Sequence, residues 1–276
     1  KTVTNASFTV SSSNITFYAK WSLNSYSITF NYNYAGGPSN TVSTMNHFVD
    51  ALAVGNKPSN PTRTGYTFAG WSETSSGSVI TTFTVVGAKT FYAKWTAVSY
   101  SITYNYNYVG SPSSSVVSLE YASDALADGN KPTNPTRAGY TFSGWSETSS
   151  GTVITTFTVT GTKTFYAKWA GVTYTLTYDG NTPTTGNPPG TAPYTSGGAA
   201  IIVAGNTGTP AVLAKTDYTF GGWYSNTAGT GGSSYLVGSN LTLTADTTIY
   251  ALWIPVGSKT VTFNSNYGSA TTGTQS

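Results

Sequence analysis

The residues able to do acid–base or nucleophilic chemistry are few in this chain, and their placement argues against a catalytic centre. His47 is the only histidine and cysteine is absent. A Cys–His pair therefore cannot form and a Ser–His pair has a single place to form, and the repeat counterpart of His47 is Tyr121. Glu73 and Glu147 occupy one repeat position, but a glycosidase needs two carboxyl groups flanking one bond. These two sit in separate Ser-rich turns, and Ser225 stands near the third such position. The run Asp124-Ala-Leu-Ala-Asp128-Gly-Asn130 faintly suggests a calcium loop, yet it lacks oxygen ligands at alternate positions, and Val54 replaces Asp128 in the sister copy. Lys20, Lys94 and Lys168 are conceivable isopeptide donors, but Leu252 breaks the series, which reads more simply as an exposed lysine on a strand. These readings leave a non-enzymatic chain with no catalytic residue, no cofactor and no metal.

The aromatic residues are more informative. Phe17-Tyr-Ala-Lys-Trp21, Phe91-Tyr-Ala-Lys-Trp95 and Phe165-Tyr-Ala-Lys-Trp169 recur at 74-residue intervals, and Ile249-Tyr-Ala-Leu-Trp253 follows 84 residues later. A second series is Tyr66-Thr-Phe-Ala-Gly-Trp71, Tyr140 to Trp145 and Tyr218 to Trp223. Trp71, Trp145 and Trp223 could stack on sugar rings. A unit of about 74 residues without disulfides needs large side chains for its core, so Trp21, Trp71, Trp95, Trp145, Trp169, Trp223 and Trp253 are read as core residues. Tyrosine, with 21 copies, exceeds what such cores need. The segments Asn31-Tyr-Asn-Tyr34 and Asn105-Tyr-Asn-Tyr108 would set phenols and amides at a regular pitch, a contact surface for a sister chain or a glycan. Asn5, Asn14 and Asn240 begin Asn-X-Ser/Thr glycosylation acceptor patterns.

These residues are positioned by strands. Ile28, Phe30, Tyr32 and Tyr34 alternate with polar residues, and Ile102 to Tyr108 repeat the pattern. The segment Asn56 to Gly65 holds two prolines and predicts an extended surface connection. Val79 to Val85 and Phe91 to Trp95 are rich in β-branched and aromatic residues. Only Asp50 to Val54 and Asp124 to Asp128 read as single helical turns. The resulting division is 1–21 as the C-terminal part of a preceding repeat, 22–95 as repeat 1, 96–169 as repeat 2, 170–253 as a longer, divergent repeat 3, and 254–276 as the first strand of a following repeat. Cut mid-repeat at both ends, the sequence reads as a window on a longer protein. Repeats 1 and 2 differ mainly between Ala35 and Val49.

The Gly65-Tyr-Thr-Phe-Ala-Gly-Trp71 run, the closing Phe91 to Trp95, the preceding Tyr-Ser-Ile-Thr-Phe strand and, in the third unit, Tyr174-Thr-Leu-Thr-Tyr-Asp-Gly180 with Tyr218-Thr-Phe-Gly-Gly-Trp223 together resemble the Listeria–Bacteroides repeat, also called the internalin B-repeat family. The resemblance spans nearly the whole chain. It implies a mostly β fold, a tandem array of small β-grasp-like domains, of the kind found in large bacterial and some archaeal surface proteins, with no family catalytic residues to carry over. The chain departs from the pattern at Gly37 to Asn56, which is longer than the usual segment there.

Charged residues make up only 8% of the chain and the net charge is +3, too little and too evenly spread for a nucleic-acid footprint. No apolar run approaches the roughly 18 residues of a membrane span. The expected function is a non-catalytic extracellular stalk or fibre segment on the cell surface. The alternative is an adhesin or carbohydrate-binding array using exposed Trp or Tyr faces. The expected partners are other copies of the chain, and glycans or cell-wall polymer.

Overall fold

The structure is a computed structural model; it describes residues 14, 16 and 18–257, together with the strands Val261–Asn264 and Ala270–Gly273. Its contacts divide it into two compact units. One comprises residues 1–102, 117–125 and 157–163, and the other residues 103–116, 126–156 and 164–276. The described residues contain strands and turns and no helix.

The first repeat lies within the first unit and is built from β1 (Ser25–Asn31), β2 (Thr41–Asn46), β3 (Tyr66–Ser72) and β4 (Lys89–Ala97). They form one sheet in the order β2-β1-β4-β3. The central pair, β1 and β4, is parallel, and the flanking pairs are antiparallel. This is a β-grasp-like order in which turns replace the crossover helix. The period-2 pattern of β1 buries Ile28 and Phe30, which meet Phe91 and Ala93 of β4 across the sheet face. The long segment before the prolines contributes Ala51 and Leu52 to the same core. Its turns are held by Ala53 N donating to Asp50 O and Asn56 N to Ala53 O. The stretch in which repeats 1 and 2 differ forms the outer strand β2 and its connections, and there only Met45 is buried.

A bulge in β3 explains how Phe68 and Trp71 both reach the core. In a regular strand, residues three apart point to opposite faces. The register against β4 shifts between Phe68 and Gly70, and Gly70 has a φ of +140°. The shift turns both rings to one side, where they pack edge to face with centroids 5.3 Å apart.

The second repeat supplies β5 (Ser99–Asn105), β6 (Ser115–Glu120), β7 (Tyr140–Ser146) and β8 (Lys163–Gly171), with the same burial pattern strand for strand and the order β6-β5-β8-β7. The third repeat lies in the second unit. It comprises β9 (Thr173–Asp179), β10 (Ala192–Thr195), β11 (Ile201–Ile202), β12 (Tyr218–Tyr224), β13 (Ser234–Tyr235), β14 (Asn240–Leu241) and β15 (Thr247–Pro255). Its main sheet runs β10-β9-β15-β12-β13, and β11 pairs with β14. The last two strands, β16 (Val261–Asn264) and β17 (Ala270–Gly273), form an antiparallel pair.

The expected tryptophan core divides into three classes. Trp71, Trp145 and Trp223 are 2%, 3% and 1% exposed and fill the cores. Trp95, Trp169 and Trp253 are half-buried and cap the core edge, their indole N–H groups donating to Tyr32 O, Tyr106 O and Gly180 O. Trp21 is 76% exposed and lies outside any strand, which corrects its placement in the core. Trp95 is sealed by Phe68 of β3 and by Tyr34 beyond β1.

Candidate functional site

The reading of Asn31-Tyr-Asn-Tyr34 as a regularly pitched continuation of the strand alternation is also corrected. The strand ends at Asn31, and Asn33 adopts a left-handed φ of 57°. Asn tolerates this conformation, and it is fixed here by Asn33 N donating to Asn31 Oδ1 at 2.7 Å. The Asn33 amide then donates to Ala93 O and Ser75 O. Asn107 and Asn181 repeat this arrangement at φ 60° and 48°. Sequence reasoning missed these residues as structural keys. The available signal was an asparagine at the same position of all three copies.

That turn aims Tyr34 at a cluster built on the Arg63-Thr-Gly-Tyr66 turn. Tyr66 N donates to Arg63 O, and Gly65 has a φ of +75°. The Arg63 guanidinium lies 3.7 Å from the Tyr66 ring centroid, 4.9 Å from Tyr34 and 5.9 Å from Trp95. Arg137 repeats the arrangement with Tyr140, Tyr108 and Trp169. In the third copy Lys215 covers Tyr218 and bonds Thr182. An open groove of about 670 Å³ runs along Tyr34, Gly36, Thr62, Arg63, Tyr66 and Tyr121.

The same turn makes the joint between consecutive repeats. Val98 N donates to Gly65 O at 2.9 Å and Tyr121 N to Val98 O at 2.8 Å. The Tyr121 ring sits so closely over Gly65 that a Cβ there would clash with the ring's Cγ and Cδ atoms, so glycine is required by space as well as by φ. Tyr66 meets Tyr121 edge to face at 5.6 Å. At the next joint Val172 N donates to Gly139 O and Ser196 N to Val172 O, both at 2.9 Å, and Ser196 stands over Gly139. Val256 N donates to Asp217 O, and Asp217 holds the left-handed position with a φ of 63°.

The sequence profile of the Listeria-Bacteroides repeat domain matches residues 26–94, 100–168 and 174–252. The chain belongs to this family. Two relatives from Evansella cellulosilytica are similar to it. One, called "Putative membrane protein", is 28% identical over 94% of this chain and 37% of its own length. The other, "Putative Gly-rich membrane protein", is 32% identical over 62% of this chain and 19% of its own length. The chain thus spans well under half of either relative. No described helix is long and apolar enough to cross a membrane.

Within this Listeria-Bacteroides repeat array the remaining candidates fall as follows. His47 packs between Tyr26 and Phe48, and its backbone N–H donates to Asn24 O. Glu73 pairs with Lys89 at 2.6 Å on the surface. The carboxylates of the calcium-like run have protein partners, Asp124 Oδ1 accepting from Phe157 N and Asp128 Oδ1 from Lys131. Asp50 Oδ1 accepts from Phe83 N and Leu52 N. Those bonds, Phe83 first, hold the Asp50 carboxyl below its ordinary pKa. Lys94 and Lys168 donate to Ser75 O and Ser149 O. Asn14 and Asn240 are exposed, and Asn5 lies outside the described residues. The sugar-platform reading of Trp71, Trp145 and Trp223 is overturned because all three side chains are buried in the cores.

Trp71 and Trp145 nevertheless line a second kind of cavity, beneath the edge of the core. In the first repeat it measures about 240 Å³ and is bounded by Leu52, Lys57, Asn60, Phe68, Trp71 and Ile80. In the second it measures about 310 Å³ with the equivalent Leu126, Lys131, Asn134, Phe142, Trp145 and Ile154.

Proposed function

We propose that this chain is a non-catalytic, extracellular segment of a stalk or fibre at the cell surface, its Listeria-Bacteroides repeats acting as spacers. The observation carrying the proposal is the joint: backbone bonds through Val98 tie Gly65 to Tyr121, and a side chain is seated on the glycine. A spacer must transmit force and orientation from one module to the next, and two backbone bonds plus a ring locked on a glycine restrict the freedom of a four-residue connection. Cores that rest on aromatic packing, without cysteine, make such modules indifferent to redox state. The low charge suits side-by-side packing with other copies, the expected partners.

A second reading, adhesion to glycans, is favoured by the open groove at Arg63, where aromatic edges and a guanidinium line one surface. The two readings are compatible, since spacers can carry ligands along their length. Protease shaving of intact producer cells tests the surface assignment. Release of peptides from 22–253 without lysis supports it, whereas recovery of these peptides only after lysis contradicts it.

A further inference from the structure

Arg63 and Arg137 are the only arginines in the chain; the other ten of its 12 Lys and Arg residues are lysines. Both stand at the same repeat position, beside two tyrosines and a tryptophan. Stacking on those rings explains a cation here, but a lysine fills that role in the third repeat, where Lys215 lies 5.0 Å from the Tyr218 ring centroid. What arginine adds is a planar fork of N–H donors with no acceptor. Lys215 uses its ammonium on Thr182 Oγ1. The Arg63 guanidinium has no hydrogen-bond or ion-pair partner among the described residues, and none of its nitrogens is buried. Its donors are open to a ligand.

Arg63 lines the open groove of about 670 Å³, whose other polar side chains are the hydroxyls of Thr62, Thr64, Tyr34, Tyr66 and Tyr121. The lining holds no carboxylate and no second cation. Hydroxyls accept as well as donate and so select no charge, which leaves selection to the guanidinium. One positive charge with paired, parallel donors matches a planar monovalent carboxylate through two hydrogen bonds. A phosphate monoester would bring a second negative charge that nothing in the groove meets. The fork is also held before a ligand arrives: Tyr66 lies 3.7 Å from it, and the Tyr34 hydroxyl donates to Thr62 O, which lowers the ordering cost of binding. We propose that Arg63 binds the carboxylate of an acidic ligand in this groove, and that Arg137 is the equivalent residue of the second repeat.

The inference rests on the adhesion reading for the bearer of that carboxylate, an acidic polysaccharide rather than a neutral one. Two arginines at one position of successive repeats fit a ligand that is itself a repeating chain. The third repeat, with Lys215 bonded to Thr182, carries no such site.

Because the chain has two arginines, its arginine Nε–Hε groups give two 1H–15N signals. The test follows them while the 276-residue chain is titrated with sodium galacturonate, galactose or inorganic phosphate at constant ionic strength, which removes simple screening. N-acetylarginine amide serves as the reference for an arginine in no site. Galacturonate should shift both signals saturably, with half-saturation at least about tenfold below the reference, galactose should leave them unmoved, and phosphate should act more weakly. Arg63→Lys keeps the charge and removes the fork. It should weaken the galacturonate response of the Thr64 and Tyr66 amides about tenfold, while the Val98 and Tyr121 amides report an unchanged fold. A response no tighter than the reference, phosphate binding as tightly as galacturonate, or Arg63→Lys binding like the parent would overturn the proposal. A glycan array separates it from the adhesion reading. Neutral glycans retained equally by the parent and Arg63→Lys, with no acidic glycan retained, would overturn the carboxylate site and leave adhesion standing. Saturable galacturonate binding with no polysaccharide retained would support the site and count against adhesion.

Discussion

Replacing Gly65 with alanine tests the joint between the first two repeats through two separable costs. The first is conformational: at a φ of +75° an L residue carries a penalty of about 1–2 kcal/mol. The second is steric, because the new Cβ would clash with Cγ and the Cδ atoms of Tyr121 and displace its ring from the edge-to-face contact with Tyr66. Such a contact contributes about 0.5–1.5 kcal/mol beyond area burial. The variant should therefore lose about 1.5–3.5 kcal/mol in urea unfolding of the full chain followed by Trp fluorescence. Amide exchange should accelerate at Val98 and Tyr121, the two donors of the joint. In a Tyr121→Ala background the clash is absent, and Gly65→Ala should cost only the conformational part, about 1–2 kcal/mol. Gly139→Ala should be milder than Gly65→Ala, because it meets only the Ser196 hydroxyl end. A Gly65→Ala protein with unchanged stability and unchanged exchange at Val98 would refute the joint as a structural coupling, as would an equal cost with and without Tyr121.

Three further outcomes are expected. Trp71→Ala should destabilise the first repeat by about 3–5 kcal/mol, seen as early melting of that repeat in amide exchange. Asn33→Ala removes two bonds to carbonyls and should cost about 1–3 kcal/mol; Asn33→Gly, which keeps the backbone conformation but loses the amide, should lose stability as well. The depressed pKa of Asp50 means that its stabilisation is present above the ordinary carboxyl pKa and is lost as pH falls through the lower folded value. The first repeat should weaken below about pH 4, and Asp50→Asn should flatten that part of a thermal-melting profile.

Much of the fold was legible because its strands obey simple periodicity. Ile28 and Phe30 alternate inward as the pattern demands, and the two prolines between Asn56 and Gly65 leave that stretch outside the strands. The bulge at Phe68–Gly70 was not legible, since it inverts the parity on which a period-2 reading depends. Asn33 was misread for a related reason: an alternating Asn-Tyr string satisfies the strand template until the Asn31 side-chain oxygen accepts from the backbone N–H two residues on. Trp21 was placed in a core by analogy with Trp95, but it lies exposed and outside any strand. Burial of Trp71, Trp145 and Trp223 followed from size and composition, whereas the unpaired indole N–H groups of Trp71 and Trp145 depend on a neighbouring segment whose path sequence could not specify. The repeat joint lay equally hidden, because a Gly followed by Tyr reads as a generic turn until Tyr121 is seen on top of it.

The central claim, that consecutive repeats are coupled through the backbone at their joint, is tested most directly by amide exchange of the 276-residue chain. The Val98 and Tyr121 N–H groups, which donate to Gly65 O and Val98 O, should exchange as slowly as the interior strand amides of the first repeat. Exchange of both at the rate of exposed loop amides would contradict it.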